Sequence, residues 1–333
     1  MKKTILLILG LFAGVISAFA QMMPDSTYQV VARWNVGDKY HYQVEESKYK
    51  IINQTDTSDV ELSAEILTFE VVDATDSTYR VRVSSDDFQH NDYQRLALHD
   101  DLLSQFGNIP YEFETNQYGT FKRVIISEED LKSLYPALDF VVDKIAEERG
   151  LNDEGKTAIK NMLRATFTQE RFVALYQQEI TPLIWFHGLR LAQDADVEYK
   201  VDVPSFFGDG STIGMNGNFW VDQELTDSYS IVLHNVMEAA PEDMRKYITT
   251  FFGTAFNALG ADEEALETGE AILQNAEIEL VDDAYEEIHL NTGWPINYDF
   301  VRSIRMKAEG QEEEQIQTRK VTIIIENNEE KEQ

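Results

Sequence analysis

The sequence predicts an α+β fold: a large curved antiparallel sheet, half-barrel-like, with helices packed on its concave face. Three observations predict it. Apolar residues alternate with period two over 27–88 and again over 278–325, as in half-buried strands. Apolar residues at helical spacing dominate the middle of the chain. The segments run strands, helices, strands, helices, strands, so the two types are segregated in blocks, as in α+β architectures. Phase faults inside the long strands favour a curved sheet over a flat one.

The first element is not part of that fold. Lys2 and Lys3 precede an apolar run over 5–15, and Ala18-Phe19-Ala20 is a small-x-small box before Gln21. This is the signature of a secretory signal peptide cleaved after Ala20. The run is shorter than the ~20 residues a spanning helix needs, and no later stretch is apolar enough to span. The expected organisation is a signal peptide (1–20), one α+β domain (21–326) and a disordered acidic tail (327–333). The expected location is periplasmic or secreted.

The strands follow. Tyr40, Tyr42 and Val44 alternate with His41, Gln43 and Glu45, and Tyr49 and Ile51 continue in the opposite phase. That fault predicts a bulge near 46–48. Val60, Leu62, Ala64 and Ile66 alternate, Leu67, Phe69 and Val71 shift phase again, and Tyr79, Val81 and Val83 form the next strand. Residues 35–38 and 73–77 carry turn chemistry. A short helix is expected over 93–106. Tyr111 and Phe113, the turn Asn116-Gln117-Tyr118-Gly119, and Phe121, Val124 and Ile126 predict a hairpin.

Ser127-Glu128-Glu129-Asp130 is a capping box. The helix after it carries Leu131, Leu134, Leu138, Val141, Val142 and Ile145 on one face. Pro136 should kink or restart it, and Gly150 should stop it. Asn152 opens a second helix, and 166–169 cap a third bearing Phe172, Val173, Tyr176 and Ile180, which Pro182 should end. Val197, Tyr199, Val201 and Val203 then alternate. Phe219 and Val221 begin a strand, and Tyr229, Ile231 and Leu233 begin its neighbour. Pro241 starts a helix with Met244, Ile248, Phe251, Phe252, Ala255 and Phe256, whose wide apolar stripe predicts deep burial. A more polar helix is expected over 261–273. Ile278 and Leu280, then Tyr285, Ile288 and Leu290, then Tyr298, Phe300, Ile304 and Met306, then 321–325 mark the last strands.

Composition limits the chemistry. The 333 residues include no cysteine, which excludes disulfides, zinc–thiolate sites, a cysteine nucleophile and a diacylglycerol anchor. Sixty acidic residues against 28 basic ones give a net charge of −32, which opposes binding to a nucleic-acid backbone. No two of the six histidines stand at i, i+4, and there is no HExxH, so no metal site is expected. His41 and His234 stand opposite in phase to apolar neighbours and read as solvated strand residues. The stretch 208–214 misses GxSxG around Ser211, because Asp209 and Ile213 occupy the glycine positions, and it misses GxGxxG at Ile213. It reads as a flexible connection between strands. Asp86-Asp87, Asp100-Asp101 and Asp282-Asp283 read as solvated turns outside any D-x-D-x-D-G calcium loop. Thr292-Gly293-Trp294-Pro295 is the most distinctive element: glycine permits an unusual φ, proline fixes its own, and the tryptophan is pinned between them. It reads as a structural corner plugging the sheet edge, or as a Trp that gates a ligand.

The segment Trp34-Asn35-Val36-Gly37-Asp38-Lys39-Tyr40, the 116–124 hairpin with Gly119, the central helices, the 292–295 corner and the 319–325 strand together resemble secreted Bacteroidetes domain-of-unknown-function families. Those families are similar to the LolA/LolB-like lipoprotein-carrier half-barrel class. A cleavage box followed by Gln21 also resembles exported proteins of these Gram-negative bacteria. The resemblance implies a curved sheet around helices, able to shelter an acyl chain, and it carries over no functional residue. The expectation is a soluble binding protein that holds a lipid or other hydrophobic ligand in the concave face of the sheet. Trp294, Phe251, Phe252 and Phe256 are its candidate ligand-binding residues. No catalytic residue, cofactor or nucleic-acid partner is expected. One alternative is a non-enzymatic envelope interaction or assembly protein with a protein partner and no small ligand. The other is a hydrolase with a dispersed Asp/Glu/His site.

Overall fold

The computed structural model describes residues 27–106, 110–148, 150, 152–166, 168–192, 195–204, 212–222, 224–258, 276–308 and 310–325. The expected signal peptide (1–20), the polar helix (261–273), Ser211 and the tail (327–333) lie outside the described residues.

In chain order the described elements are β1 (Thr27–Gln29), β2 (Lys39–Ile52), β3 (Asp56–Ala74), β4 (Thr78–His90), α1 (Tyr93–Phe106), β5 (Tyr111–Asn116), β6 (Phe121–Ile125), α2 (Glu128–Glu148), α3 (Asp153–Thr166), α4 (Gln169–Ile184), β7 (Arg190–Ala192), β8 (Asp196–Pro204), β9 (Thr212–Val221), β10 (Ser230–Ala239), α5 (Pro241–Ala258), β11 (Glu277–His289), β12 (Pro295–Ala308) and β13 (Gln311–Ile324). Eleven strands form one antiparallel sheet in the order β6-β5-β4-β3-β2-β13-β12-β11-β10-β9-β8, and β1 pairs with β7. The predicted α+β class with a large antiparallel sheet is what the chain forms. Among the described residues the sheet is open, with β6 and β8 at its edges. Its first and last halves are joined by one long-range pairing, β13 against β2, from Glu313↔Ile52 to Ile324↔His41. The phase faults in the sequence are register shifts in the sheet, between Lys48 and Lys50 and between Ala64 and Ile66.

Two helices seat on the sheet. Ile180, Leu183 and Ile184 of α4 are buried in one cluster with Tyr42, Val44, Leu67, Phe69, Tyr298 and Val321. Met244, Tyr247 and Ile248 of α5 are buried with Ile213, Met215, Ile278 and Leu280. Both clusters use strand residues of one phase, so the apolar face of the sheet is covered at two places.

The structure corrects several boundaries. The helix α2 runs through Pro136 without restarting, and α4 runs through Pro182 to Ile184. Each proline forfeits one i→i−4 hydrogen bond, but burial of the flanking apolar residues of α4 keeps it helical. The strand β9 starts at Thr212, so Phe219 and Val221 end it rather than begin it. Gly214 and Gly217 hide its start, because glycine weakens a strand signal. The last strand begins at Gln311, well before its apolar end at 321–324. None of the three acidic doublets is a turn: Asp86-Asp87 lies in β4, Asp100-Asp101 in α1 and Asp282-Asp283 in the middle of β11.

Four segments meet at His187, just past α4. Its ring is buried, stacks on Phe186 with centroids 4.7 Å apart, and donates from Nδ1 to the Ile184 carbonyl at 3.2 Å. Gly119 (φ +92°) lies so close that a Cβ would sit 2.4 Å from the ring, and a Cβ on Gly293 (φ +73°) would meet the Val31 carbonyl oxygen at 2.7 Å. Only glycine permits both approaches. Burial lowers the His187 pKa from 6.5 to about 4. The unfolded chain therefore binds this proton before the folded chain does, and stability falls as pH drops from 6.5 toward 4. The expected contribution is about 3 kcal/mol. Urea unfolding at pH 7, 5 and 4 should show a steeper loss for the natural protein than for His187→Gln by that amount. Equal slopes would contradict it.

Candidate functional site: an apolar cleft beside α4

The inward row of β11 reads Ile278, Leu280, Asp282, Ala284, Glu286, Ile288. Its first two residues belong to the α5 cluster, and Ile288 joins Phe219, Leu233 and Phe186 in a third cluster. The middle three break the apolar row with a small residue and two acids. They line a cleft of about 810 Å³ between α4 and the sheet.

Its walls come from α4 and five strands. Pro182 and Leu183 of α4, with Trp185 just beyond it, form one side. Tyr199, Val201 and Val203 of β8 and Leu233 and Met237 of β10 form the other, and Ala284 of β11 and Tyr298 and Phe300 of β12 lie between. The lining is mainly apolar. Small residues make the space. Ala284 stands opposite Phe300 on one side and Asn235 on the other. Gly217 stands opposite Tyr199, and a Cβ there would fall 2.3 Å from the phenol ring. The bare backbone of Gly217 thus lets Tyr199 lie across the sheet, where its hydroxyl donates to Asn235 Oδ1 at 2.6 Å.

The charged groups of the cleft differ in their partners. Asp282 is held by Arg302, directly opposite in register, through Nε at 2.7 Å and Nη2 at 2.6 Å. Arg319 of β13 lies 3.6 Å from Glu179 of α4 and 3.5 Å from Glu46 of β2, which ties the helix to the sheet. Tyr111 also donates to Glu179, at 2.9 Å. Glu286 is different. It is 3% exposed, and neither carboxylate oxygen has a hydrogen-bond partner among the described residues. The Trp185 indole approaches it without meeting hydrogen-bond geometry. Burial pushes its pKa well above the ordinary carboxylate range.

The candidates expected from the sequence lie away from the cleft or partly out of view. Trp294 does not line it; the indole is buried in an aromatic cluster, stacked on Trp34 at 4.5 Å and beside Tyr40, Tyr42 and Phe69. Phe251, Phe252 and Phe256 lie on α5, and their side chains are outside the described residues. His41 bonds Thr68 at 2.9 Å. His234 borders the cleft, but its ring stacks on Trp220 at 4.8 Å and stands 3.2 Å from Asp222, in the alternate strand phase. Alternation did not single out Asp282 and Glu286. The signal was present: both stand in the apolar phase of a strand, where a solvated acid would not. Among the described residues, no group of three or more His, Cys, Asp or Glu side chains is gathered to hold a metal ion, and no helix is long and apolar enough to cross a membrane.

No family model matches the chain, and no curated protein matches it. Among solved structures, it is similar to one titled "Lipid-protein interactions in lipovitellin", with a TM-score of 0.38 and 8% identity. The match covers 88% of this chain and 26% of that one, so the chain spans about a quarter of that protein's length.

Proposed function

We propose that this is a binding protein that shelters the apolar part of a lipid or other hydrophobic small molecule in the cleft beside α4. The observation that carries the proposal is the cleft itself, 810 Å³ of mainly apolar space set between two packed clusters. Small-molecule sites have volumes of roughly 300–1,000 Å³ and this kind of lining, with a few polar groups placed among apolar ones. Burying ligand surface there would supply about 25 cal/mol per Å² of apolar area. On this reading the sheet curves around its ligand, with α4 on the concave side, and the leader at residues 1–20 takes the protein out of the cytoplasm.

Binding of the neutral fluorescent probe N-phenyl-1-naphthylamine, and mass spectrometry of an organic extract of the purified protein, test the proposal. Ala284→Trp should place an indole across the middle of the cleft, weaken probe binding at least about tenfold by taking the apolar contacts there, and leave the unfolding midpoint near that of the natural protein. A protein that neither binds the probe nor releases a hydrophobic compound would overturn the proposal, as would undiminished probe binding by Ala284→Trp.

A further inference from the structure

We propose that Glu286 is the polar anchor of the cleft, and that the ligand is an amphiphile whose head is an ammonium group. The inference rests on the binding role proposed for the cleft and adds the chemistry of its polar end. Both arginines of the cleft already have acidic partners, Arg302 with Asp282 and Arg319 with Glu179 and Glu46. An anionic head would have to compete with those carboxylates. Arg319 Nε and Thr181 Oγ1 also lack a hydrogen-bond partner among the described residues, but Arg319 keeps two carboxylates within 3.6 Å, whereas no ion pair reaches Glu286 among the described residues. Glu286 is more than nine-tenths buried, lines the cleft, and has two oxygens with no hydrogen-bond partner among the described residues. A buried polar group left unpaired is costly, and a ligand that supplies the donor recovers that cost.

Aromatic residues surround the same place. Tyr298 stands directly opposite Glu286 in register, with Phe300 stacked beside it at 6.4 Å, and Trp185 approaches from the end of α4. A carboxylate with aromatic neighbours suits an ammonium, which pairs with the acid and gains from an adjoining ring. The bound cation would in turn favour the ionised form of Glu286 over the protonated form that burial favours. The charge of the whole chain, −32, would draw such a cation toward the protein.

Displacement of the naphthylamine probe by dodecylamine, dodecanol and dodecanoate, each below its micelle concentration, tests the inference. Dodecylamine should compete at about 10- to 100-fold lower concentration than the other two, the range of a charge-assisted hydrogen bond. Glu286→Gln should treat the three heads alike, whatever its own affinity for the probe. Dodecanol or dodecanoate competing as well as the amine on the natural protein would overturn the inference while leaving the cleft's binding role standing; so would an amine preference that survives in Glu286→Gln. Failure of the probe and all three competitors would remove the binding role, and this inference with it.

Discussion

Replacing Trp294 with alanine should cost about 3–5 kcal/mol of folding free energy. The indole is 2% exposed and is the centre of an aromatic cluster that joins three parts of the chain. Trp34 stacks on it at 4.5 Å, Tyr40 lies at 4.7 Å, and Phe69 meets it edge-on at 5.6 Å. The backbone around it is fixed as well: Trp34 Nε1 donates to the Thr292 carbonyl at 2.9 Å, and Tyr42 donates to the Pro295 carbonyl at 2.9 Å. With its neighbours held this firmly, the site can collapse little, and the cavity term should be near its full size. Trp294→Phe should cost less, because it keeps an aromatic face and removes an indole N–H that has no acceptor among the described residues. Urea unfolding followed by circular dichroism measures both. A loss under about 1 kcal/mol for Trp294→Ala would mean that the cluster repacks. Since Trp294 does not line the cleft, probe binding in the absence of urea should survive the substitution.

The distinctive Thr292-to-Pro295 sequence therefore marks a corner of the fold. Glycine and proline punctuate a chain locally, and their meaning is readable without a structure. The same is true of most strands, because Tyr42 and Val44, or Val81 and Val83, declare their face by alternation alone. The half of β13 over 311–320 cannot be read that way. Its sequence is almost wholly polar, and it is a strand because β12 and β2 pair with it on both sides. Cross-strand bonds such as Ser47 to Thr318 and Ser303 to Glu314 suit that polarity. Nor can the cleft be read. Alternation tells which face a residue takes but not whether a helix covers it, and the lining comes from α4 and five strands far apart in sequence. The local trace it leaves is the pair of acids in the apolar phase of β11. Asp282 resembles part of a turn only because doublets are common in so acidic a chain.

That aspartate carries the second large effect. Arg302→Ala should destabilise the protein by about 3–5 kcal/mol, because it leaves a buried carboxylate without its partner. The Asp282 side chain is 2% exposed, and both of its oxygens accept from the guanidinium. Water that took the place of Arg302 would have to be held at the edge of a mainly apolar cleft, beside Leu280 of the α5 cluster. The pair as a whole is worth much less than the cost of breaking it, because removing two charges from water offsets most of their attraction. The double variant Asp282→Leu with Arg302→Met should therefore fall within about 1 kcal/mol of the natural protein, far above the single variant. A double-mutant cycle by urea unfolding decides the matter. If Arg302→Ala and the double variant were equally unstable, the guanidinium would be holding the sheet by packing over Phe300, 5.6 Å from its ring, and the charge of Asp282 would be incidental.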